Sequence, residues 1–151
     1  MKREMKREKR VWISLILVFI LMLVLSGCSG VTGPKTAMLN ISIDPNPVPC
    51  SSEDGKWHIT MTISESNGVG VTLTSVRFDS YDQTDQLYHT QFLYEEDIID
   101  WFESNYIPAF SMLQSGIVAS STGKYDIGTI EGVDDNNTPV EATTRIDWLP
   151  Q

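Results

Sequence analysis

Hydrophobic and polar positions alternate with period two over much of the chain. Leu39, Ile41 and Ile43 alternate with Asn40, Ser42 and Asp44, and Trp57, Ile59, Met61 and Ile63 alternate with His58, Thr60, Thr62 and Ser64. Successive side chains of a strand point to opposite faces, so each run predicts a strand with one buried face. Between them, Pro45-Asn46-Pro47-Val48-Pro49 is expected in a loop or at an edge, because proline cannot donate to a ladder. Asn67-Gly68 predicts a tight turn with positive dihedrals, after which Val69, Val71 and Leu73 resume the inward phase. Val76 and Phe78 then have the opposite parity, which predicts a bulge or bend near Thr74-Ser75.

Toward the C-terminus, Tyr125, Ile127 and Thr129 run into Asp134-Asp135-Asn136-Asn137, and Val140, Ala142, Thr144, Ile146 and Trp148 run back. This pattern predicts a long hairpin with its other side chains outside. A further strand is expected within Met112–Ser121, around Ile117–Ala119. Asp97-Ile98-Ile99-Asp100-Trp101-Phe102 places Ile98, Trp101 and Phe102 at helical spacing. Glu95, Glu96 and Asp97 would lie at the positive end of that helix dipole, and the helix should end before Pro108. About seven short strands with one inserted helix make the expected fold mainly β, an antiparallel sandwich.

Gly123-Lys124-Tyr125-Asp126-Ile127 resembles the Gly-x-Tyr-x-Cys signature at the start of strand F in immunoglobulin-like domains, with Ile127 where the cysteine would be. The resemblance implies an Ig-like β-sandwich in which Tyr125 forms the tyrosine corner, its hydroxyl bonding back to upstream backbone. It covers about residues 38–149 and lacks the Cys-Trp-Cys core of true immunoglobulin domains.

The first residues follow another pattern. Six Lys and Arg side chains precede Val11–Leu25, a fifteen-residue stretch in which Ser14 is the one non-apolar residue. As a helix this stretch spans roughly 22 Å, short of the roughly 30 Å hydrocarbon thickness of a bilayer, so a cleaved secretory signal is expected over residues 1–27. Leu25-Ser26-Gly27-Cys28 resembles the lipobox of bacterial lipoproteins. That resemblance implies cleavage between Gly27 and Cys28, a diacylglycerol thioether on Cys28, and a protein anchored to the membrane through lipid. Residues 28–36 read as a flexible tether and 37–151 as the sandwich domain. The expected location is extracytoplasmic, at the cell surface or outer membrane.

Charge sharpens this division. Residues 1–27 carry six basic and two acidic side chains, whereas residues 28–151 carry five basic and eighteen acidic ones, a net −13. An acidic domain lacks the basic footprint that nucleic acid requires. With Cys28 in a thioether, Cys50 would have no intramolecular partner; a Cys28–Cys50 disulfide is the competing arrangement.

Sites of chemistry are sparse. His58 and His89 are the only histidines, and with Cys50 and Met112 they form a copper-ligand inventory scattered along the chain. Asp79, Asp82, Asp85 and the Asp134–Asn137 turn are oxygen-rich loops of the kind that hold Ca²⁺, but they are read first as turn chemistry. No nucleophile elbow, phosphate loop or paired Cys-x-x-Cys is present, so no cofactor or catalytic residue is expected. Aromatic residues crowd positions 81–110, and Tyr88, Tyr94, Trp101 and Tyr106 are the candidate recognition surface, toward an envelope protein or glycan. The expected function is a binding or structural module of the cell envelope, the alternative being a small envelope enzyme or metal-handling accessory lipoprotein.

Overall fold

The computed structural model describes residues 33–119 and 123–150. The expected leader, the Gly27–Cys28 cleavage and lipidation site, and the first part of the tether lie outside the described residues. Among the described residues no helix is long and apolar enough to cross a membrane.

Eight strands and one helix follow in order: β1 (Leu39–Asp44), β2 (Trp57–Glu65), β3 (Val71–Tyr81), β4 (Leu87–Leu93), α1 (Glu95–Phe102), β5 (Tyr106–Ile107), β6 (Met112–Ala119), β7 (Tyr125–Asp134) and β8 (Pro139–Asp147). One sheet has the order β1-β2-β6; the other has the order β4-β3-β7-β8, with β5 pairing beside the start of β3. All these pairings are antiparallel. The chain is therefore a β-sandwich with the Greek-key order of an Ig-like domain, its smaller sheet ending at β6 and its larger sheet at β4.

The alternating runs build the core. Trp57, Ile59, Met61 and Ile63 are all buried, and their register brings Ile41 opposite Ile63 and Ile59 opposite Ile117 on one inner face. Val71, Leu73, Val76 and Phe78 supply the facing layer from β3. The parity slip is a bulge: Leu73 pairs with Gly132 and Ser75 with Glu131, leaving Thr74 unpaired between them. In α1, Ile98 and Phe102 are buried, and Asp97 Oδ2 accepts the Tyr94 N–H at 3.0 Å. The helix ends at Glu103, whose left-handed φ of 64° lets its N–H reach the Ile99 carbonyl.

Three expectations need correction, and one strand went unannounced. Asn67-Gly68 supplies one positive φ rather than two, at Gly68, and the segment carries the chain between sheets, since β2 and β3 belong to different ones. In β7 the phase is reversed: Asp126, Gly128, Ile130 and Gly132 align with the inward residues of β3 and β8, while Tyr125 and Ile127 belong to the outer face. Two glycines on the inner face hid this phase from a hydrophobicity reading. β4 is a full strand that its aromatic-rich sequence did not announce, since an edge strand with mostly exposed side chains shows no clean alternation. Finally, Lys35 and Thr36, expected in the tether, are pinned: their carbonyls accept the side-chain N–H groups of Asn136 at 2.8 Å and Asn67 at 2.6 Å.

Candidate functional site

The two sheets end unequally, and this opens a site. β6 is the last strand of one sheet and β4 of the other, so the sandwich is open along one side between these edges. Helix α1 packs against β3, β4 and β6 at this side. The inner face of the larger sheet changes character along its length. Leu93, Val76, Ile130 and Ala142 form one cross-strand row; the next contains Gln91, Phe78, Gly128 and Thr144; the last contains His89, Ser80, Asp126 and Ile146. Apolar packing thus gives way to a polar row where the sheets part.

A cleft of about 820 Å³ occupies this region, within the size range of small-molecule sites. Ile59 and Ile117 line it from the smaller sheet, Trp101 and Asp100 from α1, and Trp148 from the residue that follows β8. Trp101 is held in place by its ring against Phe78, with centroids 6.2 Å apart.

Asp126 is the chemically distinctive group. Burial raises its carboxyl pKa above the ordinary value, against the opposing influence of the Ser80 hydroxyl, the Trp148 indole N–H and the charge of His89. Ser80 and Trp148 lie close enough to favour the ionised form, but among the described residues no well-formed hydrogen bond satisfies Asp126 Oδ1 or Trp148 Nε1, both of which are buried. The Asp126 acceptor and the Trp148 donor are neighbours, so the two groups form a loosely matched buried pair at the wall of the cleft.

The four aromatic candidates divide. Tyr88 and Trp101 both line the cleft. Tyr94 instead lies at the N-cap of α1 and stacks on Phe92 with planes 9° apart. Tyr106 is in β5, beside the opposite end of β3, where its hydroxyl donates to Asp135 Oδ2 at 3.2 Å. Asp126, Ser80 and Trp148 were not singled out from sequence. The available signal was Trp148 at the end of an inward-facing run, which places an indole N–H in the interior.

The remaining polar candidates have structural partners. Asp82 Oδ1 accepts from the Thr84 and Gln86 N–H groups and the Thr84 hydroxyl, and these bonds hold its pKa below the ordinary value. Asp85 pairs with Lys124 at 2.8 Å, and Asp79 with Arg77 at 3.1 Å. Asp134 accepts the Asn136, Thr138 and Ala37 N–H groups, which closes the β7–β8 turn and ties down the domain's first residues. His58 bonds Asp54 at 2.9 Å on the surface. Among the described residues the half-buried thiol of Cys50 has no disulfide partner. Among the described residues no group of three or more His, Cys, Asp or Glu side chains is gathered as a metal ion would require.

Tyr125 departs from the corner that its motif implies. Its ring stacks on Tyr81 with centroids 4.8 Å apart, and the Arg145 guanidinium lies 3.7 Å above its centroid. Among the described residues its hydroxyl makes no bond to upstream backbone.

No family model matches the sequence, and no curated protein matches it. Among solved structures, a Northeast Structural Genomics Consortium target, SoR45, is 18% identical over 74% of this chain and 86% of its own, with a TM-score of 0.43. A candidate ApaA protein from Bordetella pertussis is 15% identical over 78% of this chain and 98% of its own, with a TM-score of 0.45. The CARDB domain of the PF1109 protein from Pyrococcus furiosus, solved with di-metal ions, is 15% identical over 76% of this chain and 90% of its own, with a TM-score of 0.41. Likenesses this distant carry no argument about ligand or activity, and the sandwich assignment rests on the strand order itself.

Proposed function

We propose that this protein is a lipid-anchored, extracytoplasmic binding module that holds a small ligand in the lateral cleft between β4 and β6. The observation that carries the binding reading is the lateral cleft itself, about 820 Å³, in which aromatic walls face the Asp126 carboxyl. Placing a half-buried carboxyl there costs stability, and a ligand that completes its hydrogen bonds recovers that cost on binding. The anchoring reading is supported by the charged start, the short apolar run and Leu25-Ser26-Gly27-Cys28. Two or three acyl chains, at about 0.8 kcal/mol per buried methylene, hold such a domain at a bilayer essentially permanently.

Two experiments test the two halves. Thermal shifts of wild type and Asp126→Asn, measured against a panel of neutral, anionic and cationic small molecules, should find compounds that stabilise the wild type alone. A panel without such a compound would count against the cleft. For the anchor, Cys28→Ala should abolish lipid attachment and leave uncleaved precursor, read by fractionation and intact mass. Normal processing and membrane retention of that variant would overturn the lipoprotein assignment.

One observation favours a second reading, a small enzyme: a carboxyl raised by burial beside Ser80 and His89 has the character of a general acid. Ser80 lies between Asp126 and His89 in the cross-strand row, however, whereas a Ser-His-Asp relay requires the histidine in the middle. The order of side chains therefore suits recognition better than nucleophilic catalysis.

A further inference from the structure

Taking the cleft as the binding site just described, the geometry points to a specific class of ligand: we propose a small organic ammonium compound carrying a hydroxyl beside its charge. Charge comes first. Two carboxylates, Asp126 in β7 and Asp100 in α1, line the cleft from different elements, and among the described lining residues there is no lysine or arginine. The titratable neighbours are His89 on β4 and the Tyr88 hydroxyl at the same edge. The domain's net −13 adds a field that concentrates cations at its surface.

The walls make the second argument. Trp101, Trp148 and Tyr88 present three aromatic rings to one space, and ring faces attract cations lying within about 6 Å of their centroids. Ile59, Ile117 and Ile146 supply apolar surface for the ligand's carbon skeleton. A bare metal ion would leave this surface unused, and the cleft gathers no set of three metal-ligating side chains among the described residues.

The third argument is the polar row. Ser80 and Gln91 line the cleft beside Asp126, and a hydroxyl next to the ligand's charge can donate to either of them. Amino alcohols and amino sugars meet all three requirements.

Glucosamine and glucose separate charge from shape, since they share a ring and differ by an ammonium group. Each is titrated into the full-length chain in detergent, with the indole N–H signals followed by ¹⁵N-correlated NMR and the Trp148 signal assigned through Trp148→Phe. We expect glucosamine to shift the Trp148 signal saturably and glucose to bind at least tenfold more weakly. Asp126→Asn, and separately Asp100→Asn on the exposed face of α1, should each weaken glucosamine at least tenfold with the Trp57 signal unmoved. Equal binding of the two sugars, or binding indifferent to both carboxylates, would overturn the ammonium assignment while leaving the cleft as a binding site. Absence of any Trp148 shift would overturn the ligand class. If neutral and anionic compounds also fail to stabilise the protein, the binding reading falls with it.

Discussion

The backbone N–H of Phe110 donates to Glu65 Oε2 at 3.0 Å, across forty-five residues of sequence. Glu65 is 3% exposed and also accepts the N–H groups of Met38, Asn67 and Gly68. One carboxylate thus joins the start of the domain, the crossing between sheets and the loop before β6. Burial alone would raise its pKa, but the bonds from Phe110, Asn67, Met38 and Gly68 outweigh burial and bring it down from 4.5 to about 2.

A stability prediction follows from that sign. A carboxylate whose folded pKa is depressed contributes stability fully above its unfolded value and loses it as pH falls through the folded one. Glu65 should therefore support the fold above about pH 4.5 and cease to do so near pH 2. Glu65→Gln turns one acceptor into a donor facing N–H groups and should cost about 2 kcal/mol at neutral pH. Urea unfolding of both proteins from neutral pH downward checks this: the gap should close below pH 4.5, and a gap independent of pH would refute it.

Asp126 has the opposite sign. A carboxyl raised above its ordinary 3.8 makes folding harder wherever it must ionise inside the protein, and the penalty disappears as pH falls through its folded value toward the unfolded one. Asp126→Asn should therefore raise Tm at neutral pH, by a few degrees if the relief is about 1 kcal/mol. The difference should vanish under acid conditions. A variant that is less stable than wild type at neutral pH would show the carboxylate to be structural rather than held for a ligand.

These two residues show what could be read in the sequence. Glu65 falls on the inward parity of Trp57, Ile59, Met61 and Ile63, so its burial was legible as the next step of a clean alternation. Its donors were not, because they come from segments brought together only by the sandwich. Asp126 was hidden by reversed phase: with Gly128 and Gly132 on the inner face of β7, Ile130 alone marked that side, while Tyr125 and Ile127 made the outer side look buried. The strands with one-sided burial, the bulge, the helix and the last hairpin were all legible locally. The cleft was not, since it arises where two sheets end, a property of strand order rather than of any one segment.

Glycines on β6 and β7 should respond differently to a methyl group. A Cβ at Gly132 would meet the Thr72 carbonyl oxygen at 2.7 Å and Val71 Cγ1 at 2.8 Å, next to the bulge. Backbone in a paired strand cannot yield cheaply, so Gly132→Ala should cost about 2–3 kcal/mol. A Cβ at Gly116 has nothing within 4 Å, and Gly116→Ala on this edge strand should be neutral or slightly stabilising. Chemical denaturation of the two variants side by side checks the contrast, and equal losses would contradict the close approach of β7 to β3.

Tyr125 separates the two roles its motif allows. In a tyrosine corner the hydroxyl does the work, and Tyr125→Phe would be the damaging change. Here the ring is held between Tyr81 and the Arg145 guanidinium on the outer face of the larger sheet, so its stabilisation comes from stacking and cation–π attraction. Tyr125→Phe should therefore stay within about 0.5 kcal/mol of wild type, while Tyr125→Ala loses about 1–2 kcal/mol. Arg145→Ala should reproduce part of the alanine loss and add little to it in the double variant, because both changes remove the same contact. A large loss on Tyr125→Phe would restore the hydroxyl to the role that the Gly-x-Tyr pattern implies.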